Sequence, residues 1–211
     1  MKHLCATAVL GGLLLAAAAQ GAETKPGSAP KADASKGQSI ANSVCIACHG
    51  VDGNSPIPAN PNLAGQHPEY LYKQLLNFKS GERQNAVMSG MVATLSQDDM
   101  RNLAAYYAGQ KPRQGAAKDA KLVTAGQKLY RGGDAASGIA ACAGCHSADG
   151  AGVPAQYPRL KGQSVDYTLA QLKAFRTGER ANDSAKMMRT IAGRMTDKQM
   201  DAVAEYVSGL K

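Results

Sequence analysis

Tryptophan is absent, and phenylalanine occurs only twice in 211 residues, at Phe78 and Phe175. A core built mainly on large aromatic side chains is therefore excluded. Beyond the N-terminus no segment is apolar enough to cross a membrane, which takes about 20 residues. Acidic residues are in short supply, with 16 Asp and Glu against 24 Lys and Arg. That basic balance comes without a recognisable basic binding motif, so nucleic acid is not an expected partner. Cysteine is sparse too: there are five, and four of them fall in two short stretches, "CIACHG" at 45–50 and "CAGCHS" at 142–147.

The N-terminus reads as an address rather than as structure. Lys2 precedes an apolar run from Leu4 to Ala19, and small residues follow, the pattern of a secretory signal peptide. The expected signal is 1–22, with cleavage near 19–22, and Ala17 and Ala19 supply the small-residue pair. Cys5 leaves with it. No thiol then remains outside the two C-x-x-C-H stretches, which suits an oxidising compartment. Residues 23–35, rich in Pro, Ala, Lys and Ser, read as a flexible leader.

The rest of the chain repeats. Displaced by about 97 positions, "LAGQHPEYLYKQLLNFKSGER" (63–83) lies over "LKGQSVDYTLAQLKAFRTGER" (160–180). After "GER" the offset becomes 100, through a three-residue insertion in the second copy. A repeat of this length implies two copies of one folded unit. The expected domains are 36–110 and 123–211, joined by an exposed linker at 111–122. Each copy reads as helical. One helix is expected around Lys36 to Cys48. Another carries Tyr70, Leu71, Gln74, Leu75 and Phe78 on one face. A last helix starts at Ser96, with Asp98 and Asp99 in its first turn, and its counterpart starts at Thr196. Strand signals are weak, so the fold class is all-α.

In C-x-x-C-H two thiols can add across the vinyl groups of a haem, and the following His lies beneath the iron. This assigns Cys45, Cys48 and His49 to one covalent haem c and Cys142, Cys145 and His146 to a second. A zinc ribbon needs its pairs roughly 15 to 20 residues apart, and Cys48 and Cys142 are far beyond that. A thioredoxin-type dithiol needs a βαβ setting, which is missing. Two buried cofactors would also supply the bulk that the missing aromatics do not.

A methionine opposite each His closes the iron and raises its potential. At the 100 offset Met88 falls on Met188, in the segment before the last helix. Met91 falls on Ile191, Met187 on Val87 and Met195 on Leu95, and these three read as core residues. Met100 and Met200 pair inside the last helix and read as packing. Met88 and Met188 are the expected axial ligands, with Met91 and Met187 next in order. Pro61 and Pro158 offer a backbone carbonyl to the proximal His N–H, or simply form a turn. His67 has Ser164 as counterpart and reads as a solvated loop residue. Arg83 and Arg180 read as partners of haem propionates or as solvated helix ends. Tyr70 and Tyr167 face either haem or core.

Together, the two C-x-x-C-H units with "GVDGNS", "LAGQHPEYL", "KSGER", "MSGM" and "RGG" resemble the dihaem cytochrome c4 family. The resemblance covers roughly 35–211. It implies two tandem class I cytochrome c domains, each wrapped around a covalent haem and related by approximate twofold symmetry. It implies His49/Met88 and His146/Met188 as ligand pairs. It also implies a periplasmic electron carrier, soluble or loosely membrane-associated, running from quinol–cytochrome c reductase toward a terminal oxidase or other reductase. No catalysis and no small-molecule substrate are expected. One departure is visible: the stretch from Gly126 to Cys142 is eight residues longer than that from Gly37 to Cys45.

Charge separates the halves. Residues 23–111 carry eight Lys/Arg and seven Asp/Glu, whereas 112–211 carry fifteen and nine. The expectation is that the C-terminal half docks on acidic partners. Two other functions compete with a free carrier: the dihaem subunit of a flavocytochrome-type sulfide dehydrogenase, and a dihaem peroxidase, which would need one iron readily opened.

Overall fold

The computed structural model describes residues 31–211. The expected signal and residues 23–30 of the leader lie outside the described residues, whereas Asp33 caps the first helix and Ala34 and Ser35, read as flexible leader, already belong to it. The first half consists of α1 (Ala34–Val44), α2 (Ile46–His49), α3 (Pro68–Ser80), α4 (Ala86–Val92) and α5 (Gln97–Ala108). The second repeats it with α6 (Ala120–Gly132), α7 (Ala143–His146), α8 (Val165–Thr177), α9 (Met187–Ala192) and α10 (Asp197–Gly209). Only isolated bridges, and no strands, occur among the described residues.

The helix ends follow from capping chemistry. Asp33 accepts from Ser35 N and Lys36 N, and Asp119 from Lys121 N and Leu122 N. Ser96 and Asp99 form a reciprocal capping box on α5, and Thr196 and Gln199 form its counterpart on α10. Pro68 opens α3 at a position where its missing N–H is not needed. In each half the first helix crosses the last at a glycine. A Cβ on Gly37 would lie 2.1 Å from Asn102 O, and one on Gly126 would lie 2.0 Å from Ala202 O. These crossings bury Ala41, Leu103 and Tyr106 in the first half, and Leu129, Val203 and Tyr206 in the second.

The structure corrects one further sequence expectation and adds detail to two other stretches. The helix expected around Lys36 to Cys48 breaks at Cys45, whose φ of −106° opens the turn. Cys45 N still bonds Ala41 O, while Cys45 O accepts from both Cys48 N and His49 N, so the chain restarts as the short α2. The stretch read as an exposed linker has no buried residue, but its last residues are helical, since α6 begins at Ala120. The remainder is fastened to both halves: Arg113 N donates to Asn54 Oδ1, and Lys118 N and Asp119 N donate to Glu205 Oε1. The longer connection before Cys142 is a closed loop. Asp134 and Ile139 exchange two backbone hydrogen bonds of 2.8 Å, and Ile139 is buried in the second core.

The halves meet about an approximate twofold axis, and the contacts come in matched pairs. Asn62 N donates to Gln163 Oε1 (2.9 Å), and Arg159 N donates to Gln66 Oε1 (2.8 Å). Gln163 Nε2 donates to Asn62 O, and Gln66 Nε2 to Arg159 O. Arg83 and Arg180 pair as an antiparallel bridge on the axis.

Candidate haem sites

In the first half, α2 places Cys45 and Cys48 one helical turn apart, with His49 directly after. His49 N donates to Cys45 O at 3.0 Å. The ring of His49 is buried, and its Nδ1 lies 3.1 Å from Pro61 O. In the second half, His146 N donates to Cys142 O at 2.9 Å, and the buried His146 ring has Nδ1 3.0 Å from Pro158 O. With Nδ1 donating to a carbonyl, Nε2 is the ring atom left for a metal. Burial holds both imidazoles below their ordinary pKa, against the opposing pull of the proline carbonyls. Both rings are therefore neutral at pH 7, the form that ligates.

The four cysteines make no disulfide. Burial raises the Cys45 thiol and pushes Cys142 up to about 11. These are not activated thiolates. The C-x-x-C-H turns themselves are not gathered into one cluster of ligating side chains among the described residues. Each half instead offers two thiols, one neutral buried imidazole and one thioether. That donor set fits a covalent haem c. The Tyr107 hydroxyl, buried near Cys45 without a geometric hydrogen-bond partner, is an orphan polar atom beside the first turn.

Met88 lies in α4, where its N–H donates to the Asn85 side chain (2.9 Å), and it packs against Phe78, Val92 and Met100. Met188 lies in α9 and packs against the second core. Met100 and Met200 are fully buried packing residues. The expectation of core positions for Met91, Met187 and Met195 holds only for Met195. Met91 is 44% and Met187 40% exposed, because these short helices press a single face onto the core.

Arg83 and Arg180 are not solvated helix ends: each is 8% exposed. Arg83 Nη2 donates to Tyr167 Oη (3.0 Å) and Gln171 Oε1, across the domain boundary. Arg180 Nη2 donates to Tyr70 Oη (2.9 Å) and Gln74 Oε1. Each guanidinium also stacks over the phenylalanine of its own half, at 4.6 Å from Phe78 and 4.4 Å from Phe175. Tyr70 and Tyr167 thus serve the interface. His67 is half-buried at the start of α3, with Nε2 enclosed and unpartnered, rather than solvated. The interface residues Gln66, Gln163, Gln74 and Gln171 carried a signal in the sequence, since they recur at matching repeat positions. Lys73 and Asn77 do not recur, their repeat positions being Ala170 and Ala174, and nothing in the sequence singled them or Asn182 out.

Two all-α units, each with a C-x-x-C-H turn, a carbonyl-oriented imidazole and a partly buried methionine, define a two-domain haem-binding redox protein. The family model described as "Cytochrome c" matches residues 34–110 and 123–211. Cytochrome c4 of Thiocapsa roseopersicina is 48% identical, over 84% of this chain and 93% of the relative. The thiosulfate dehydrogenase electron acceptor of Thiomonas intermedia is 40% identical, over 99% of this chain and 91% of that one. The crystal structure of reduced cytochrome c4 from Pseudomonas stutzeri superposes with a TM-score of 0.82 at 43% identity, covering 86% of this chain and all of that one. The chain belongs to the cytochrome c family and, within it, to the dihaem cytochromes c4. It carries two covalently bound haem c groups and is an electron carrier.

Proposed function

We propose that the protein is a periplasmic shuttle, exported by a cleaved signal peptide, that passes electrons one at a time from quinol–cytochrome c reductase toward a terminal oxidase or another reductase. The two haems supply a one-electron ferrous–ferric couple each. Cys45 and Cys48 hold one by thioether bonds, and Cys142 and Cys145 the other. His49 and His146 are the proximal ligands, oriented and made more basic by the carbonyls of Pro61 and Pro158. Met88 and Met188 are the distal ligands, which leave no open position for substrate and favour the reduced state. The observation that carries this reading is the doubling of one arrangement of imidazole, carbonyl and methionine. His49 and His146 bond carbonyls at 3.1 and 3.0 Å, and in each half a methionine packs on the core from the segment before the last helix.

A second reading concerns the donor. The relative named as a thiosulfate dehydrogenase electron acceptor aligns with 99% of this chain. It favours a thiosulfate-oxidising dehydrogenase as an alternative source of electrons. Among the described residues no helix is long and apolar enough to cross a membrane. Stopped-flow mixing of the oxidised protein with each reduced donor separates the readings. Fast reduction by quinol–cytochrome c reductase supports the respiratory shuttle. Fast reduction by the dehydrogenase alone moves the protein to sulfur oxidation. Copurification with a flavoprotein would instead favour a sulfide dehydrogenase subunit.

A further inference from the structure

We propose that the first half holds the second methionine in place, through a brace from α3 to the segment carrying Met188 that has no counterpart in the opposite direction. This inference rests on Met188 being an iron ligand.

The brace starts just before the three-residue insertion, which falls between Asn182 and Met188. In the first half, Asn85 caps α4 locally by accepting from Met88 N. Asn182, which lies over Asn85 when the 97 offset is carried two residues past "GER", does something else. It is 5% exposed, and its Nδ2 donates across the domain boundary to Gln74 Oε1 (3.0 Å) and Asn77 Oδ1 (2.8 Å). Lys73 Nζ donates to Asn182 O (2.7 Å) and to Asn77 Oδ1 (2.9 Å), and Arg180 Nε donates to Asn182 Oδ1. All three α3 residues belong to the first half. Two of them have repeat counterparts that can make no such bonds, because Lys73 matches Ala170 and Asn77 matches Ala174.

The adjacent residue carries the restraint onward. α9 has no side-chain cap from its own N-cap residue, Lys186. Asp183 takes that part: it accepts from Arg189 N (3.0 Å) and from Arg189 Nε (2.7 Å), and its side chain is 5% exposed. Between Asp183 and α9 the chain passes through Ala185 and Lys186, with φ of 50° and 57°. This left-handed conformation costs a non-glycine residue of order 1 kcal/mol or more. Such a segment persists only if held at both ends. Asp183–Arg189 holds the end next to Met188, and Asn182 in the α3 cage holds the other. Lys73, Asn77 and Asp183 are thus positioning residues, acting on Met188 through the backbone between them.

The test uses the mature dihaem protein with Lys73→Ala/Asn77→Ala and, separately, Asp183→Asn, with Met188→Ala alongside. Imidazole is titrated into the oxidised protein, and the iron-bound methionine methyl resonances are followed in the reduced protein, one from each site. Both brace variants should bind imidazole at the second iron about tenfold more tightly, the scale of a lost charge-assisted hydrogen bond. The first iron should be unchanged, and Lys73→Arg should retain the wild-type value. Equal effects at both irons, or none at either, overturn the brace. If Met188→Ala removes one methyl resonance while the brace variants behave as wild type, the brace fails and the ligand assignment stands. If Met188→Ala leaves both resonances, the assignment fails and the brace with it.

Discussion

Ser147 follows the second haem-binding turn with φ 68° and ψ 155°, a conformation that glycine adopts without penalty and other residues do not. Gly50 occupies the equivalent place in the first half, at φ 78° and ψ 158°. The serine hydroxyl recovers part of the cost by donating to Gly152 O at 2.8 Å. Ser147→Gly should therefore stabilise the second half by about 1 kcal/mol, the strain relieved less one hydrogen bond. Denaturant unfolding of the holoprotein checks this, and a loss of stability would contradict it. Asp183 gives a pH dependence. Burial alone would raise its carboxyl, but the backbone N–H and guanidinium of Arg189 outweigh that and hold it below the ordinary carboxylate value. A carboxyl with a depressed folded pKa contributes stability above its unfolded pKa, and that stability disappears as pH falls through the folded value. Acid should therefore loosen the second half below about pH 4, and Asp183→Asn should blunt that loss. Far-ultraviolet dichroism against pH in the two proteins decides it; coincident acid transitions would exclude the role. At this scale the haem turns were legible in the sequence, because C-x-x-C-H spacing has few other uses. The buried arginines were not legible. "GER" at a helix end looks solvated until a second copy of the domain is packed over it.

The two helix crossings dominate at the level of elements. Gly37 and Gly126 let the first helix of each half touch the backbone of the last. A methyl group there would drive the helices apart, since its nearest neighbour is backbone and cannot rotate away. Gly37→Ala or Gly126→Ala should each destabilise its half by about 2–3 kcal/mol, in the range of overpacked cores. Chemical denaturation of the holoprotein measures this, and a change within about 0.5 kcal/mol would mean that the helices can separate freely. The helices themselves were readable from apolar spacing and from Ser96 and Thr196 as caps. Their crossings were not, because a glycine within a helix announces no partner. The facing of the short helices was also hidden. The repeat offset shows that Met91 and Met187 match residues unable to ligate, yet it says nothing about which side of a six- or seven-residue helix meets the core.

At the scale of the whole molecule, the doubled sequence becomes two haem domains locked by paired contacts about a twofold axis, with one asymmetric network added. The C-terminal half carries most of the positive charge, fifteen Lys/Arg against nine Asp/Glu over 112–211. If that half meets an acidic partner, the association rate should fall by about tenfold or more between low and physiological ionic strength. A rate flat across salt would exclude steering by this charge. The repeat and the charge bias were visible in the sequence. The interface was not, because only folding reveals that Tyr70 and Tyr167 pair with arginines of the opposite half. The central claim is that both irons are closed by His and Met. A spectroelectrochemical titration of the purified holoprotein, with and without carbon monoxide, tests it most directly. The account predicts two low-spin haems, both at positive potential and both inert to carbon monoxide. One high-spin or carbon monoxide-reactive haem at strongly negative potential would contradict it.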